Sequence, residues 1–127
     1  MFTPDDVERQ FTLQTATTRY DELRAREALA SLTRDEALEL LALSEVIARK
    51  AGYGRQLSVR SARSAGASWS QIGAALGTSK QAAWEAHGRW IDDQAEQHRR
   101  SGYEGLDDKE AATARALAGQ PGGEDPA

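Results

Sequence analysis

Few residues in this chain have the type and spacing that covalent or metal chemistry requires. The two histidines, His87 and His98, are eleven residues apart, and the chain has no cysteine. Histidines that share a metal on one helix stand about four residues apart, so this spacing predicts no metal site. Three acid pairs lie at expected helix starts or exposed ends, where nothing positions a catalytic dyad. They are Asp5-Asp6, Asp92-Asp93 and Asp107-Asp108. We therefore expect no enzymatic activity and no cofactor.

The basic residues are segregated along the chain in a way that suits an anionic partner. Residues 49–91 contain seven Arg and Lys against one acidic residue, whereas residues 1–48 contain five against ten and residues 92–127 contain four against nine. The net charge is −4, but charges are screened over ~8 Å at physiological salt, so distant acids do not cancel a local basic surface. The alternative is an ordinary solvated helix face. The residues concerned are Arg49, Lys50, Arg55, Arg60 and Arg63.

Two helix-start signals follow this basic stretch. Ser68 is followed three residues later by Gln71, and Thr78 is followed three residues later by Gln81. Two capping boxes ten residues apart predict two short helices, and Gly77 between them can take the positive φ of a tight turn. Gly73 has no side chain to hold the second helix away. The expected buried residues of the pair are Ile72, Ala75, Leu76, Ala82, Ala83 and Ala86, with Trp90 or Ile91.

The stretch GASWSQIGAALGTSKQAAWEAHG resembles the helix-turn-helix of bacterial regulators, in a version common in actinobacterial proteins with the pattern SWxxIGxALGxSxQAA. The resemblance covers about residues 55–91, a third of the chain. Four residues stand where the family places them, namely Gly73, Leu76, Gly77 and Ala83. Thr78 departs from the pattern, because an aliphatic residue is usual there, and Ala86 stands where a larger residue often packs.

The resemblance implies that the second helix, about Ser79 to Trp90, enters the major groove of double-stranded DNA with its N-terminal turn against the bases. Gln81 could pair with adenine, Lys80 could reach a guanine edge or a phosphate, and Ser79 could hold a phosphate. The candidate DNA-binding residues of this helix are Ser79, Lys80, Gln81, Trp84 and Glu85. On the preceding helix, Arg55, Arg60 and Arg63 are expected to grip the flanking DNA backbone.

Structural alternatives exist for three of the polar and aromatic residues in this region. Trp84 fits packing against Trp69 or the preceding helix as well as it fits a thymine methyl group or the sugar backbone. Gln81 has a second use in its own capping box, and in that role it is less able to read a base. Trp69, which enters the first helix of the pair, is expected in the core.

The elements that must position these residues are predicted to be helices throughout, because Ala, Leu, Glu and Arg are plentiful and β-branched residues are sparse. Residues 1–54 are expected to form a helical scaffold, 55–91 the DNA-binding region, 92–118 a helical extension and 119–127 a disordered tail. We therefore expect an all-α fold, a small helical domain with a central helix-turn-helix and long N-terminal helices.

Within the scaffold, Thr3-Pro4 predicts the first helix start. Between that start and residue 30, one long helix or two shorter helices both fit, with a break expected near residues 15–18 because Thr is frequent there.

The capping box of Thr33 and Glu36 should open the most apolar helix, which is expected to end near Ala51 because Gly52-Tyr53-Gly54 predicts a turn. A further helix should run from Arg55 to Ala65 and close at Gly66. A last helix, residues 106–118, should be capped by Asp107 and followed by Gly119.

Together these patterns predict a DNA-binding transcriptional regulator. Because a palindromic operator matches a two-fold dimer, we expect a homodimer formed through residues 4–32 or through the helix after Trp90. The alternative is a protein-interaction module without direct DNA reading, which binds a protein of the transcription machinery such as a sigma factor or a polymerase subunit, or an antitoxin-type partner. The start MFTPDDVERQ lacks the pattern of a secretory signal and no apolar run approaches ~20 residues, so we expect a soluble, cytoplasmic protein with no membrane partner.

Overall fold

The computed structural model describes residues 2–122, and these residues form an all-α fold with no strand. Six helices follow in order: α1 (Pro4–Gln10), α2 (Leu13–Leu29), α3 (Arg34–Ser64), α4 (Trp69–Leu76), α5 (Lys80–Ser101) and α6 (Asp108–Ala118). The chain divides into two compact units, Met1–Arg55 and Gln56–Ala127, and the boundary falls inside α3. None of these helices combines the length and the apolar character that crossing a bilayer requires.

The first unit begins as its sequence predicts, with Thr3 capping α1 and Pro4 in the first turn. Two helices precede α3, and the expected break near residues 15–18 is wrong. The chain breaks at Phe11 and Thr12 instead, because the side chains of Thr12 and Thr15 form a capping box that starts α2. A threonine-rich run can therefore open a helix as well as interrupt one.

The core of the first unit lies between α1, α2 and α3. Its buried side chains are Val7, Ala16, Leu23, Leu40, Ala42, Leu43 and Val46. Full burial of one Leu or Val stabilises a fold by about 1.5–3 kcal/mol, so this cluster is the main source of stability of the unit. Arg19 donates two hydrogen bonds to the Glu39 carboxylate, at 3.0 and 2.9 Å, and thereby fixes α2 against α3.

The predicted end of α3 near Ala51 is wrong, because the helix continues through Gly52, Tyr53 and Gly54 to Ser64. The expected separate helix from Arg55 is the C-terminal part of α3. Glycine costs a helix only about 1 kcal/mol, and tertiary contacts offset a penalty of that size. The Tyr53 hydroxyl donates to Glu8 at 2.9 Å and Arg49 donates to Asp5 at 3.1 Å, so α1 supports this part of α3. The chain turns at Gly66, as predicted, with φ +94°.

In the second unit, the C-terminal part of α3 packs with α4, α5 and α6. Its core is unusually rich in alanine, which lets α6 approach closely. The buried side chains are Val59, Trp69, Ile72, Ala83, Ile91, Ala95, Ala111, Ala114 and Ala118. The predicted capping box of Asp107 opens α6 and Gly119 follows it. The helix that begins at Lys80 is longer than expected, since α5 runs past Trp90 to Ser101 and ends at Gly102, with φ +80°.

The predicted disordered tail, residues 119–127, is only partly described. Gly119 caps α6 and its carbonyl accepts a hydrogen bond from the Trp84 indole at 2.7 Å. Pro121 is buried. The start of the predicted tail is therefore part of the packed second unit, and residues 123–127 lie outside the described residues.

Candidate nucleic-acid interface

The α4–α5 turn is set by hydrogen bonds that its own residues make. Ser68 caps α4 in the predicted capping box with Gln71. At the other end, Gly77 adopts φ +73° and its N–H bonds the carbonyl of Ala74, while the N–H of Thr78 bonds the carbonyl of Gly73 at 2.8 Å. These two hydrogen bonds satisfy carbonyl groups in the last turn of the helix, and the chain reverses its direction sharply at this point. Only glycine takes this φ at no steric cost.

Gly73 permits the close approach of the two helices. A Cβ atom at Gly73 would lie 2.9 Å from the backbone carbon of Ser79 and 2.9 Å from the carbonyl oxygen of Thr78. Such distances are shorter than van der Waals contact, and both neighbouring atoms belong to the backbone. The start of α5 therefore rests directly on the bare backbone of α4. The predicted role of Gly73 is confirmed in this respect.

The buried face of α4 differs from the predicted one. Trp69, Ile72 and Gly73 are buried, but Ala75 is exposed and Leu76 is 39% exposed. The prediction that Trp69 lies in the core is confirmed. Leu76 projects from nearly the same side of α4 as Trp69, seven residues earlier, but it lies at the C-terminal end of the helix and is exposed where Trp69 is buried. Three consecutive apolar residues at the end of α4 are exposed, namely Ala74, Ala75 and Leu76.

The start of α5 differs from the predicted capping box of Thr78 and Gln81. Ser79 is the cap, and its hydroxyl accepts the N–H of Ala82 at 3.0 Å. Ser79 is exposed and Lys80 is partly exposed. The first turn of α5 carries no acidic side chain, so the positive end of the helix dipole is not neutralised by an acid in that turn.

Gln81 and Glu85 lie on the exposed surface of α5. The Gln81 amide donates to the Glu85 carboxylate at 2.9 Å, so Gln81 does not reach back to its own helix start. Arg89, which sequence reasoning missed, is exposed one turn further along. Its four-residue spacing from Glu85 is the signal that would have found it, because residues four apart share a helix face.

Trp84 is partly buried and its orientation is fixed by the C-terminal segment. Its indole N–H donates to the carbonyl of Gly119 at 2.7 Å, and its ring packs against the core of the second unit. The predicted alternative, packing against Trp69 or the preceding helix, agrees with the structure in that Trp84 packs within the fold. The hydrogen-bond partner of the indole, however, lies after α6. The structure thus gives this indole a positioning role within the unit.

Arg63 is engaged with backbone carbonyls. Its guanidinium bonds the carbonyl of Ala67 at 3.0 Å, that of Leu117 at 3.1 and 3.2 Å and that of Ala118 at 3.3 Å. It also stacks over the Trp69 ring, 5.1 Å from the centroid. The last carbonyls of a helix lack partners within it, so Arg63 acts as a side-chain cap for α6.

Arg60 and Arg55 are placed differently from Arg63. Arg60 is partly exposed and stacks on Trp90, with its guanidinium carbon 5.7 Å from the ring centroid. Arg55 is exposed and is the last residue of the first unit. Of the two predicted arginines in the second unit, Arg63 bonds the carbonyls at the end of α6, whereas Arg60 stacks on an aromatic ring.

Sequence reasoning also missed a buried histidine. His87 is 1% exposed, stacks on Trp90 with ring centroids 5.4 Å apart, and lies 5.7 Å from the Trp69 ring. Its Nδ1 atom is 2.8 Å from the Gln56 side-chain oxygen. Burial, and then the positive charges of Arg60 and Arg63, hold the pKa of His87 below its ordinary value of 6.5.

Protonation of His87 is expected to destabilise the second unit. Because the pKa is lowered in the folded chain, the unfolded chain binds the proton more readily. The contribution of uncharged His87 to the free energy of unfolding is therefore fully present above pH 6.5. It falls as the pH drops below 6.5, by at most about 1.4 kcal/mol per pH unit. Urea unfolding between pH 7.5 and pH 5 should show this loss in the wild type and a weaker one in His87→Phe. Identical pH profiles would contradict the assignment.

The other candidate catalytic or metal-ligating side chains lie apart from one another. In the part of the chain from Phe2 to Gly122, no three His, Asp or Glu side chains form a group that could hold a metal ion. His98 lies near the end of α5, with Nδ1 3.0 Å from the Glu104 carbonyl oxygen. Asp107 caps α6, and Asp92 forms an ion pair with Arg115 at 3.0 Å. These acids serve helix ends and pairing between helices.

Comparison of the chain with protein-family models, curated proteins and solved structures gave no match.

Proposed function

We propose that this chain is a DNA-binding transcriptional regulator whose α4–α5 pair acts as a helix-turn-helix, with the first two turns of α5 in the major groove. The main support is the combination of a tightly fastened turn at Gly73 and Gly77 with an exposed leading end of α5. A reading helix must be held rigidly by one face and present polar side chains on another. The α4–α5 pair meets both requirements.

In this proposal the residues of α5 divide by their chemistry. Ser79 and the first N–H groups of α5 hold a phosphate, and Lys80 adds a positive charge. Gln81 and Glu85 face the base edges, where an amide can pair with adenine and a carboxylate can accept from the cytosine amino group. Arg60 contacts the flanking backbone. Arg63 and Trp84 support the reading helix from behind through the end of α6.

Removal of a basic side chain is expected to change the salt dependence of DNA binding. In a mobility-shift assay with random genomic fragments, Lys80→Ala and Arg60→Ala should each weaken binding and lower the slope of log K against log salt by about 1. Arg99→Ala is the charge-matched control, because Arg99 lies about 28 Å further along α5 and is paired with Glu96. Its slope should equal that of the wild type.

Gln81→Ala should act on sequence preference more than on salt dependence. It is expected to cost about 1–3 kcal/mol on a selected binding sequence and little on random DNA. If the wild-type protein retards no fragment even at low salt, the regulator proposal is wrong.

The second candidate function is a protein-interaction module, and the exposed apolar side chains of Ala74, Ala75 and Leu76 favour it. Exposed apolar side chains can contribute to a surface that binds another protein. A protein complex formed through these side chains should be insensitive to salt and should weaken with Leu76→Ser. DNA binding through α5 should weaken as salt rises and should not change with Leu76→Ser.

A further inference from the structure

Helix α3 carries two leucines on the face opposite its core. Leu43 is fully buried, whereas Leu38 is 46% exposed and Leu41 is 68% exposed. At 100° per residue, Arg34, Leu38, Leu41 and Glu45 lie within one sector of about 60°, and that sector is turned about 180° from Leu43. These four residues, which we call the outer stripe, run straight along the helix.

The order of residues in the outer stripe is self-complementary. A basic residue, two leucines and an acidic residue follow one another at spacings of four, three and four. If a second copy of α3 is laid antiparallel across the stripe, Leu38 of each copy lies opposite Leu41 of the other. The same alignment sets Arg34 of each copy opposite Glu45 of the other. In a two-fold interface each contact is made twice, so both charge pairs and both leucine pairs are satisfied together.

The charged ends of the outer stripe can reach a partner. The Arg34 side chain is 88% exposed and lies 3.7 Å from the carboxylate of its sequence neighbour Asp35. The Glu45 side chain is 54% exposed and pairs with Arg49 at 3.3 Å. Neighbouring residues on a helix do not face each other, and exposed pairs contribute little, so both side chains can turn to a second copy at small cost.

We propose that the chain forms an antiparallel homodimer through the outer stripe, with the two-fold axis passing between Leu38 and Leu41. This places the dimer interface on α3 rather than on residues 4–32 or after Trp90. Stable interfaces bury about 1,600 Å² in total, and two helices crossing at two leucine layers bury less. The dimer should therefore dissociate on dilution. The proposal does not depend on DNA binding and is tested without nucleic acid.

The first experiment is sedimentation velocity over a concentration series of the full chain. The wild type should shift from monomer to dimer as the concentration rises, and Leu41→Asp should raise the dissociation constant at least about tenfold. Leu29→Asp is the matched control, because Leu29 is 89% exposed at the end of α2 and lies off the stripe. Its dissociation constant should stay within about twofold of the wild type. Circular dichroism should show that both variants are folded.

The second experiment tests the antiparallel register by charge reversal. Arg34→Glu and Glu45→Arg should each weaken the homodimer, because each sets like charges opposite one another twice. A mixture of the two variants should form a heterodimer more tightly than either forms a homodimer, since both opposite-charge pairs are restored. A wild type that stays monomeric overturns the proposal. A dimer that survives Leu41→Asp, or a mixture that shows no preference for the heterodimer, overturns it equally.

Discussion

Gly73→Ala is expected to destabilise the protein by about 2–3 kcal/mol in its free energy of unfolding. The added methyl group would lie 2.9 Å from backbone atoms of Thr78 and Ser79 and 3.0 Å from the Lys80 nitrogen. Backbone at a capped turn cannot move aside as a flexible side chain can. The start of α5 must therefore shift away from α4, and urea unfolding followed by circular dichroism measures the cost.

The matched control for this prediction is Gly88→Ala on α5. A Cβ atom at Gly88 would meet no atom within 4 Å, so this substitution should leave stability unchanged or raise it by about 0.5–1 kcal/mol through helix propensity. If Gly73→Ala unfolds at the same urea concentration as Gly88→Ala, the close contact between the helices is not a determinant of stability. DNA retardation by the folded fraction of Gly73→Ala should also fall if the regulator proposal holds.

Arg63→Ala is expected to have the second largest effect, a loss of about 2–3 kcal/mol in the free energy of unfolding. The substitution removes the hydrogen bonds to the carbonyls of Ala67, Leu117 and Ala118 and the stacking on Trp69. The carbonyls at the end of α6 would then lack a charged donor, and the C-terminal segment would loosen. Arg63→Lys should recover only part of the loss, because a single ammonium group cannot reproduce the guanidinium fork.

Arg60→Ala provides the comparison on the same helix, one turn earlier. It removes the same charge and a stacking contact with Trp90, which is worth about 0.5–1 kcal/mol at an exposed site. The two variants should therefore differ in stability: Arg63→Ala unfolds more easily, whereas Arg60→Ala remains folded and, if the regulator proposal holds, binds DNA less tightly. An equal loss of stability in both variants would contradict the capping role of Arg63.

Several local features could be predicted because the atoms that make them are close in sequence. The capping boxes at Ser68 and Asp107 join residues three apart, and the turn at Gly77 depends on the φ of one glycine. The cap expected at Thr78 lies instead at Ser79, which offers an equivalent hydroxyl, and no capping box forms there because the third helical residue is Ala82. A second cap candidate next to the first cannot be resolved by pattern alone.

Long-range contacts account for what the sequence pattern missed in the candidate site. Arg63 and Arg60 are indistinguishable as basic residues of one stretch, yet Arg63 bonds carbonyls 54 and 55 residues away. Gly52 and Gly54 carry a turn signal that contacts of α3 with α1 override. His87 and Trp90 share the i, i+3 spacing of one helix face, but the burial of His87 also depends on Trp69 and Gln56, which lie on other helices.

The amino-acid sequence by itself determined the all-α class, most helix starts and the two glycines that shape the α4–α5 turn, because each depends on propensities and hydrogen bonds within a few residues. Only the tertiary structure decided which basic and aromatic side chains donate hydrogen bonds to the end of α6, and which leucines of α3 face away from the core. Those outcomes depend on the direction in which each helix face points, and that direction is set by contacts between segments far apart in the chain.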